Sequence, residues 1–125
     1  MRIDIRGRNV EVTDELREAV ISRFGRVGKQ VAAQATLEVE LSEERNPRIA
    51  DKMVAEATLR LKGVTLRAKE ASPEMLHSIH KLAEDIRRQV KKHREKRRKR
   101  SQTRRMMDRV RGREPGEPGE AEGPA

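Results

Sequence analysis

The stretch that decides the fold is MVAEATLRLKGVTLRAK, residues 53–69. Apolar and polar side chains alternate on both sides of Lys62-Gly63. Alternation with a period of two is typical of strands that bury one face, and a two-residue loop containing Gly is typical of a tight hairpin. The pattern therefore predicts a β-hairpin with one buried face and one polar face.

A helix is predicted directly after this hairpin. Ser72 is the expected N-cap and Pro73 the first helical residue, where the missing N–H costs nothing. Apolar residues then recur at helical spacing and form one core-facing stripe: Met75, Leu76, Ile79, Leu82, Ala83, Ile86 and Val90. The stripe ends there, so we expect the folded domain to span residues 1–93.

Three more elements are predicted before the hairpin. Ile3 and Ile5 alternate with charged residues up to Gly7, which indicates a strand. Thr13 is the expected N-cap of a first helix, and Gly28 is its expected stop. The core-facing residues of these elements are Leu16, Ala19, Val20, Phe24 and Val27 on the helix, then Leu37, Val39 and Leu41 on the next strand. The predicted class is α+β, in the order β-α-β-β-β-α, with both helices on one face of a four-stranded sheet.

Charge is distributed very unevenly along the chain. Charged residues make up 41% of the 125 residues, against about 25% in typical domains. Residues 1–86 hold 15 basic and 15 acidic side chains, residues 87–113 hold 15 and two, and residues 114–125 hold four acidic ones. We therefore expect a neutral folded body, a basic arm over residues 94–113 that is either an extended helix or disordered, and a disordered acidic Pro/Gly tail over residues 114–125.

Composition and motifs exclude several classes of protein. There is no Cys, which removes disulfides and thiolate metal sites. No signal peptide, apolar membrane-spanning run, phosphate-binding glycine loop or nucleophile motif is present. We expect a cytoplasmic protein that is not an enzyme and that uses no cofactor, metal, small-molecule substrate or membrane.

Two minor hypotheses concern particular side chains. His77, His80 and Glu84 could together bind zinc, although a solvated polar helix face is the interpretation we favour. Met106, Met107 and Val110 form either a small docking patch or incidental apolar positions in the arm; we favour the second interpretation.

The basic block is the strongest functional signal. Such a dense run of cations repels itself unless a polyanion neutralises it. With one Phe and no Tyr or Trp, base stacking is nearly excluded, so phosphate contact and shape readout are expected. An acidic membrane or protein surface is the less favoured partner. The cations that this block and its helix offer to RNA are Lys81, Arg88, Lys91, Lys92, Arg94, Arg97 and Arg98.

The chain resembles the ribosome hibernation-promoting factors and ribosome-associated translation inhibitors of bacteria and plastids. The stretches that carry the resemblance are residues 5–7, 9–10, 12–18, 23–26, 57–68, 72–79 and 88–93. The resemblance implies the same β-α-β-β-β-α fold. It also implies binding to 16S rRNA in the mRNA and tRNA channel of the small ribosomal subunit, and inhibition of translation in stationary phase or stress.

The matching positions imply RNA contacts from Arg23, Arg26, Arg88, Lys91 and Lys92. The two remaining candidates, Arg67 and Lys69 on the polar face of the hairpin, are chosen from charge alone.

This chain also departs from the family pattern. Residues 75–80 read MLHSIH, where relatives commonly have Met-Tyr-x-Ala-Ile-Asp, and Asp85 replaces a common basic residue. The second domain of long relatives is not visible, so we expect a monomer that is either a short form or a truncated long form. The alternative function is a general, sequence-blind RNA-binding or chaperone module.

Overall fold

The computed structural model describes residues 1–112, and their side chains through residue 107. Its elements are β1 (Arg2–Arg8), α1 (Asp14–Gly28), β2 (Thr36–Glu43), β3 (Met53–Leu61), β4 (Val64–Ser72) and α2 (Met75–Gly112). This order confirms the predicted α+β class. The predicted acidic tail lies outside the described residues.

The four strands form one sheet in the order β1-β2-β3-β4. β1 runs parallel to β2, while the β2–β3 and β3–β4 pairs are antiparallel. The hairpin predicted from the alternating stretch is present. Its loop is Lys62-Gly63, and Gly63 has a φ of 84°, a left-handed conformation that glycine adopts without strain.

Both helices pack on one face of this sheet and bury a single core. The core centres on Phe24 of α1, Leu37 and Leu59 of the sheet, and Ile79 and Ile86 of α2, all of which are fully buried. The predicted core-facing stripe of α2 is confirmed except at its edge. Leu76 is 45% exposed, because the neighbouring Met75 takes the inward position at the start of the helix.

The two ends of α1 differ in how well the sequence predicted them. The Thr13 cap is confirmed, since its Oγ1 accepts a hydrogen bond from the Leu16 N–H at 3.3 Å. The predicted end at Gly28 is confirmed, but a left-handed glycine does not cap the helix, because the C-cap is Lys29 in a right-handed conformation. The Lys29 N–H donates to the Arg26 carbonyl at 3.3 Å, so a tightened last turn ends the helix.

The predicted start of α2 is two residues too early. Ser72 is the last residue of β4, Pro73 lies in the connection, and the helix begins at Met75. The Ser72 hydroxyl lies 2.7 Å from that of the fully buried Ser78, which donates to the Met53 carbonyl at 2.6 Å. These serines therefore join the first turn of α2 to β3, a role that sequence position alone does not reveal.

α2 continues well past the end of its apolar stripe. The chain divides into two compact units, Met1–Val90 and the segment from Lys91 onward. In the second unit the backbone is helical through Gly112, and the side chains from Arg94 to Met107 are exposed. No helix within residues 1–112 is long and apolar enough to cross a membrane.

Gly7 is a glycine whose replacement we expect to damage the fold through a steric clash. A Cβ added there would collide with the Val10 carbonyl oxygen and lie 2.9 Å from Val12 Cγ2. We expect Gly7→Ala to lower the free energy of unfolding by about 1–3 kcal/mol, as overpacking does. Urea denaturation followed by circular dichroism measures this change.

Gly25 supplies the matched control for that substitution. It lies in α1, and a Cβ added there meets nothing within 4 Å. Gly25→Ala should raise the free energy of unfolding by about 0.5–1 kcal/mol, because alanine favours a helix over glycine. Equal shifts for the two variants would contradict the assigned close approach at Gly7.

Candidate nucleic-acid interface

Two of the predicted RNA-binding residues lie on α1. Arg23 and Arg26 are exposed and three residues apart, so they share one side of the helix. They line an open cleft between α1 and α2, which the small side chains of Ala19, Ser22 and Ala83 leave unfilled. The fold therefore presents both arginines beside a concave surface on the helical layer.

The same cleft contains a pair of charged side chains that sequence analysis missed. Arg87 of α2 lines the cleft with Glu84, and its Nη2 donates to both Glu84 carboxylate oxygens, at 2.7 and 2.8 Å. Arg87 follows the buried Ile86 directly, and it was not among the residues predicted to bind RNA. The opposite charges of Glu84 and Arg87, three residues apart on one helix, are a sequence signal that could have found this pair.

The other cations on α2 within the first unit differ in how strongly they already bind other groups of the protein. The Lys81 Nζ donates to the Ala71 carbonyl at 3.1 Å and lies 3.6 Å from a Glu70 carboxylate oxygen. Lys81 therefore ties α2 to β4 and is only half exposed. The Arg88 side chain is 70% exposed, and its Nη2 lies 3.3 Å from Asp85 Oδ1.

The remaining candidates on α2 belong to the second unit. Each of these five side chains is exposed: Lys91, Lys92, Arg94, Arg97 and Arg98. A helix that carries cations without an apolar stripe suits contact with a polyanion more than packing against an apolar partner.

The two hairpin candidates lie apart from the α1 arginines. Arg67 and Lys69 are exposed on β4, where they pair in register with Thr58 and Glu56. They alternate with residues that pack on the core, so they occupy the sheet face turned away from the helices. The structure therefore does not bring them together with Arg23 and Arg26.

That outer sheet face neutralises much of its own charge. Arg60 pairs with Glu38 at 2.8 Å, and Arg6 lies 3.7 Å from Glu40. The hydrogen bond from Arg60, and then its charge, lower the pKa of Glu38. These carboxylates weaken the attraction of Arg60 and Arg6 for a polyanion.

The zinc hypothesis finds no support in the structure. Among the described residues, no three His, Cys, Asp or Glu side chains come close enough to hold a metal ion. Glu84 is bound by Arg87, and His80 is half-buried with its Nδ1 enclosed in protein and without a hydrogen-bond partner. Met106 and Met107 are exposed on the helix, and the Val110 side chain lies outside the described set.

Comparison with known proteins identifies relatives of this chain. The family described as Sigma 54 modulation protein / S30EA ribosomal protein matches residues 3–98. The ribosome hibernation promotion factor of Picosynechococcus sp. is 36% identical over 97 residues, which cover 77% of this chain and 50% of that protein. The chain thus spans about half the length of that relative.

A shorter relative and a solved structure agree with this match. The ribosome hibernation promoting factor of Acinetobacter guillouiae is 31% identical over 99 residues, covering 75% of this chain and 88% of that protein. The crystal structure of the Thermus thermophilus Protein Y N-terminal domain is 26% identical with a TM-score of 0.64, covering 74% of this chain and 99% of that one. The chain therefore belongs to the Sigma 54 modulation protein / S30EA ribosomal protein family.

Proposed function

We propose that this protein is a cytoplasmic ribosome hibernation factor that binds 16S rRNA on the small ribosomal subunit and inhibits translation under stress or in stationary phase. The observation that carries this proposal is the family match over residues 3–98, with relatives named for ribosome hibernation. The exposed arginines beside the interhelical cleft supply the chemistry that such a function needs.

The mechanism follows from where these cations lie. Arg23 and Arg26 on the ordered α1, and the exposed Arg88 on α2, offer guanidinium groups that bond RNA phosphates in fixed geometry. A domain held by such contacts in the mRNA and tRNA channel would exclude both ligands. Inhibition then needs occupancy alone and no catalytic step.

The candidate residues take different parts in this mechanism. Lys91 and Lys92, in the second unit, offer further phosphate contacts, and Arg94, Arg97 and Arg98 add attraction that depends strongly on salt. Arg67 and Lys69, on the partly neutralised outer face, contribute less. Lys81 contributes least, because its amine already binds within the protein.

Co-sedimentation with purified small subunits, large subunits and intact ribosomes tests the proposal. We expect the protein to pellet with small subunits and to inhibit translation in a purified system. Pelleting with large subunits alone, or full translation at saturating protein, would show that the proposal is wrong.

A sequence-blind RNA binder is the second candidate function. The exposed basic side chains of α2 from residue 94 favour it, because cations without an apolar or aromatic partner bind any RNA backbone. Equal affinity for small subunits and for an unrelated RNA duplex, at one salt concentration, would establish this function instead.

A further inference from the structure

The interhelical cleft is a concave surface on which cations from both helices meet. Arg23 and Arg26 reach it from α1, and Arg87 reaches it from α2. Glu84 is the one carboxylate among the residues that line it, so the cleft keeps a net positive charge. Small side chains line the space between the arginines, so an anion can approach them without displacing a bulky group.

Arg87 is held by Glu84 before any ligand binds. Glu84 binds a single terminal nitrogen, Nη2, through both carboxylate oxygens. This restrains the guanidinium while Nε and Nη1 keep their donors. The Arg87 side chain is 39% exposed, so part of its conformational freedom is lost before any ligand binds. Preorganisation of this kind raises affinity by reducing the entropy lost on binding.

We propose that this cleft seats a backbone phosphate of the bound RNA and that Arg87 is an RNA-binding residue, positioned by Glu84. The inference rests on the proposed function and adds a contact that the family resemblance does not supply. The ligand is a phosphodiester, because planar guanidinium groups on two sides of an open cleft match its anionic oxygens. A flat base has no aromatic surface to stack on here.

Arg87→Gln tests the contact, and Arg60→Gln is its matched control. Arg60 is also bound to a glutamate, Glu38 at 2.8 Å, and is similarly exposed, but it lies on the outer sheet face. We expect Arg87→Gln to weaken binding to purified small subunits about tenfold. It should also reduce the log–log salt slope by about 0.7–0.9, the value of one phosphate contact. Arg60→Gln should change affinity less than twofold.

A double variant separates a specific contact from simple charge. Arg87→Gln leaves Glu84 unpaired, whereas Arg87→Gln with Glu84→Gln restores the net charge of the cleft. If Arg87 bonds a phosphate, the double variant stays at least about fivefold weaker than the wild type. If the double variant binds as the wild type does, Arg87 acts through charge alone and the proposal is overturned. Circular dichroism confirms that each variant is folded.

A second substitution tests the cleft without changing any of its three arginines. Ser22→Glu places a carboxylate in the cleft, and Thr65→Glu places one on the exposed outer face of β4. We expect only Ser22→Glu to weaken binding, because it repels a phosphate seated there. Equal effects of the two variants would count against the cleft.

The failure of this proposal can be distinguished from failure of the proposed function. If the wild type binds small subunits and Arg87→Gln binds equally well, the cleft proposal is wrong and the hibernation function stands. If the wild type does not bind small subunits, the function is wrong. The same variants measured on a short RNA hairpin then decide whether the cleft binds phosphate.

Discussion

Replacing Arg88, Lys91 and Lys92 together by Glu is expected to abolish inhibition of translation and to lower small-subunit affinity at least about a hundredfold. All three side chains are exposed. The change removes three cations and adds three anions, so phosphate contacts become repulsions. The fold should survive, because exposed substitutions usually change stability by about 0.5 kcal/mol or less each.

Two triple variants with the same charge change serve as comparisons. Three exposed cations lie dispersed on α1, at its C-cap and in the hairpin turn: Arg17, Lys29 and Lys62. Reversing their charges should therefore weaken binding far less. Reversal of Arg97, Arg98 and Lys99 should reduce affinity yet leave inhibition intact at saturation. The measurement is inhibition of translation against protein concentration. Three identical curves would mean that only the total charge matters. Sequence-blind RNA binding would then replace specific docking on the small subunit as the function.

Phe24→Ala is expected to produce the largest loss of stability. Phe24 is the one aromatic residue of the chain and is fully buried between α1 and the sheet. Its truncation removes a large apolar group and leaves a cavity, which costs about 3–5 kcal/mol. This is a large share of the roughly 5–15 kcal/mol that stabilises a typical domain.

Ile21→Ala is the control for this substitution, since Ile21 lies on the same helix and is 50% exposed. We expect it to change the free energy of unfolding by less than about 1 kcal/mol. Because the chain has no Tyr or Trp, far-ultraviolet circular dichroism in a urea titration is the suitable signal. A loss below about 1.5 kcal/mol for Phe24→Ala would show that its pocket is loosely packed.

The elements were predictable because local patterns determine them. The alternation around Lys62-Gly63 predicts a hairpin from neighbouring residues alone, and the stripe from Met75 to Val90 predicts a packed helix face. The ends of the helices were less predictable. Ser72 looks like a cap in sequence, but it is the last residue of β4 and its hydroxyl lies 2.7 Å from that of Ser78.

Charge and family resemblance were enough to predict part of the candidate site. Exposed cations such as Arg23 and Arg88 could be chosen from the sequence. The hydrogen bond from Lys81 to the Ala71 carbonyl could not be predicted from the sequence, because it depends on how α2 lies on β4. The place of Arg87 in the cleft depends on residues of α1 more than 60 positions earlier, a relation that no local pattern encodes.

The parallel pairing of β1 with β2 bears on the order in which the chain can fold. Arg2 pairs with Thr36, so β1 must wait until α1 and β2 have been synthesised. Strands β2, β3 and β4 pair through consecutive antiparallel connections and need no contribution from β1. The connection between β1 and β2 is longer than those between β2 and β3 or between β3 and β4. Closing it therefore carries the greatest entropy cost of the three. We therefore expect β1 to dock last, onto a sheet edge that remains available for pairing until the amino terminus returns to it.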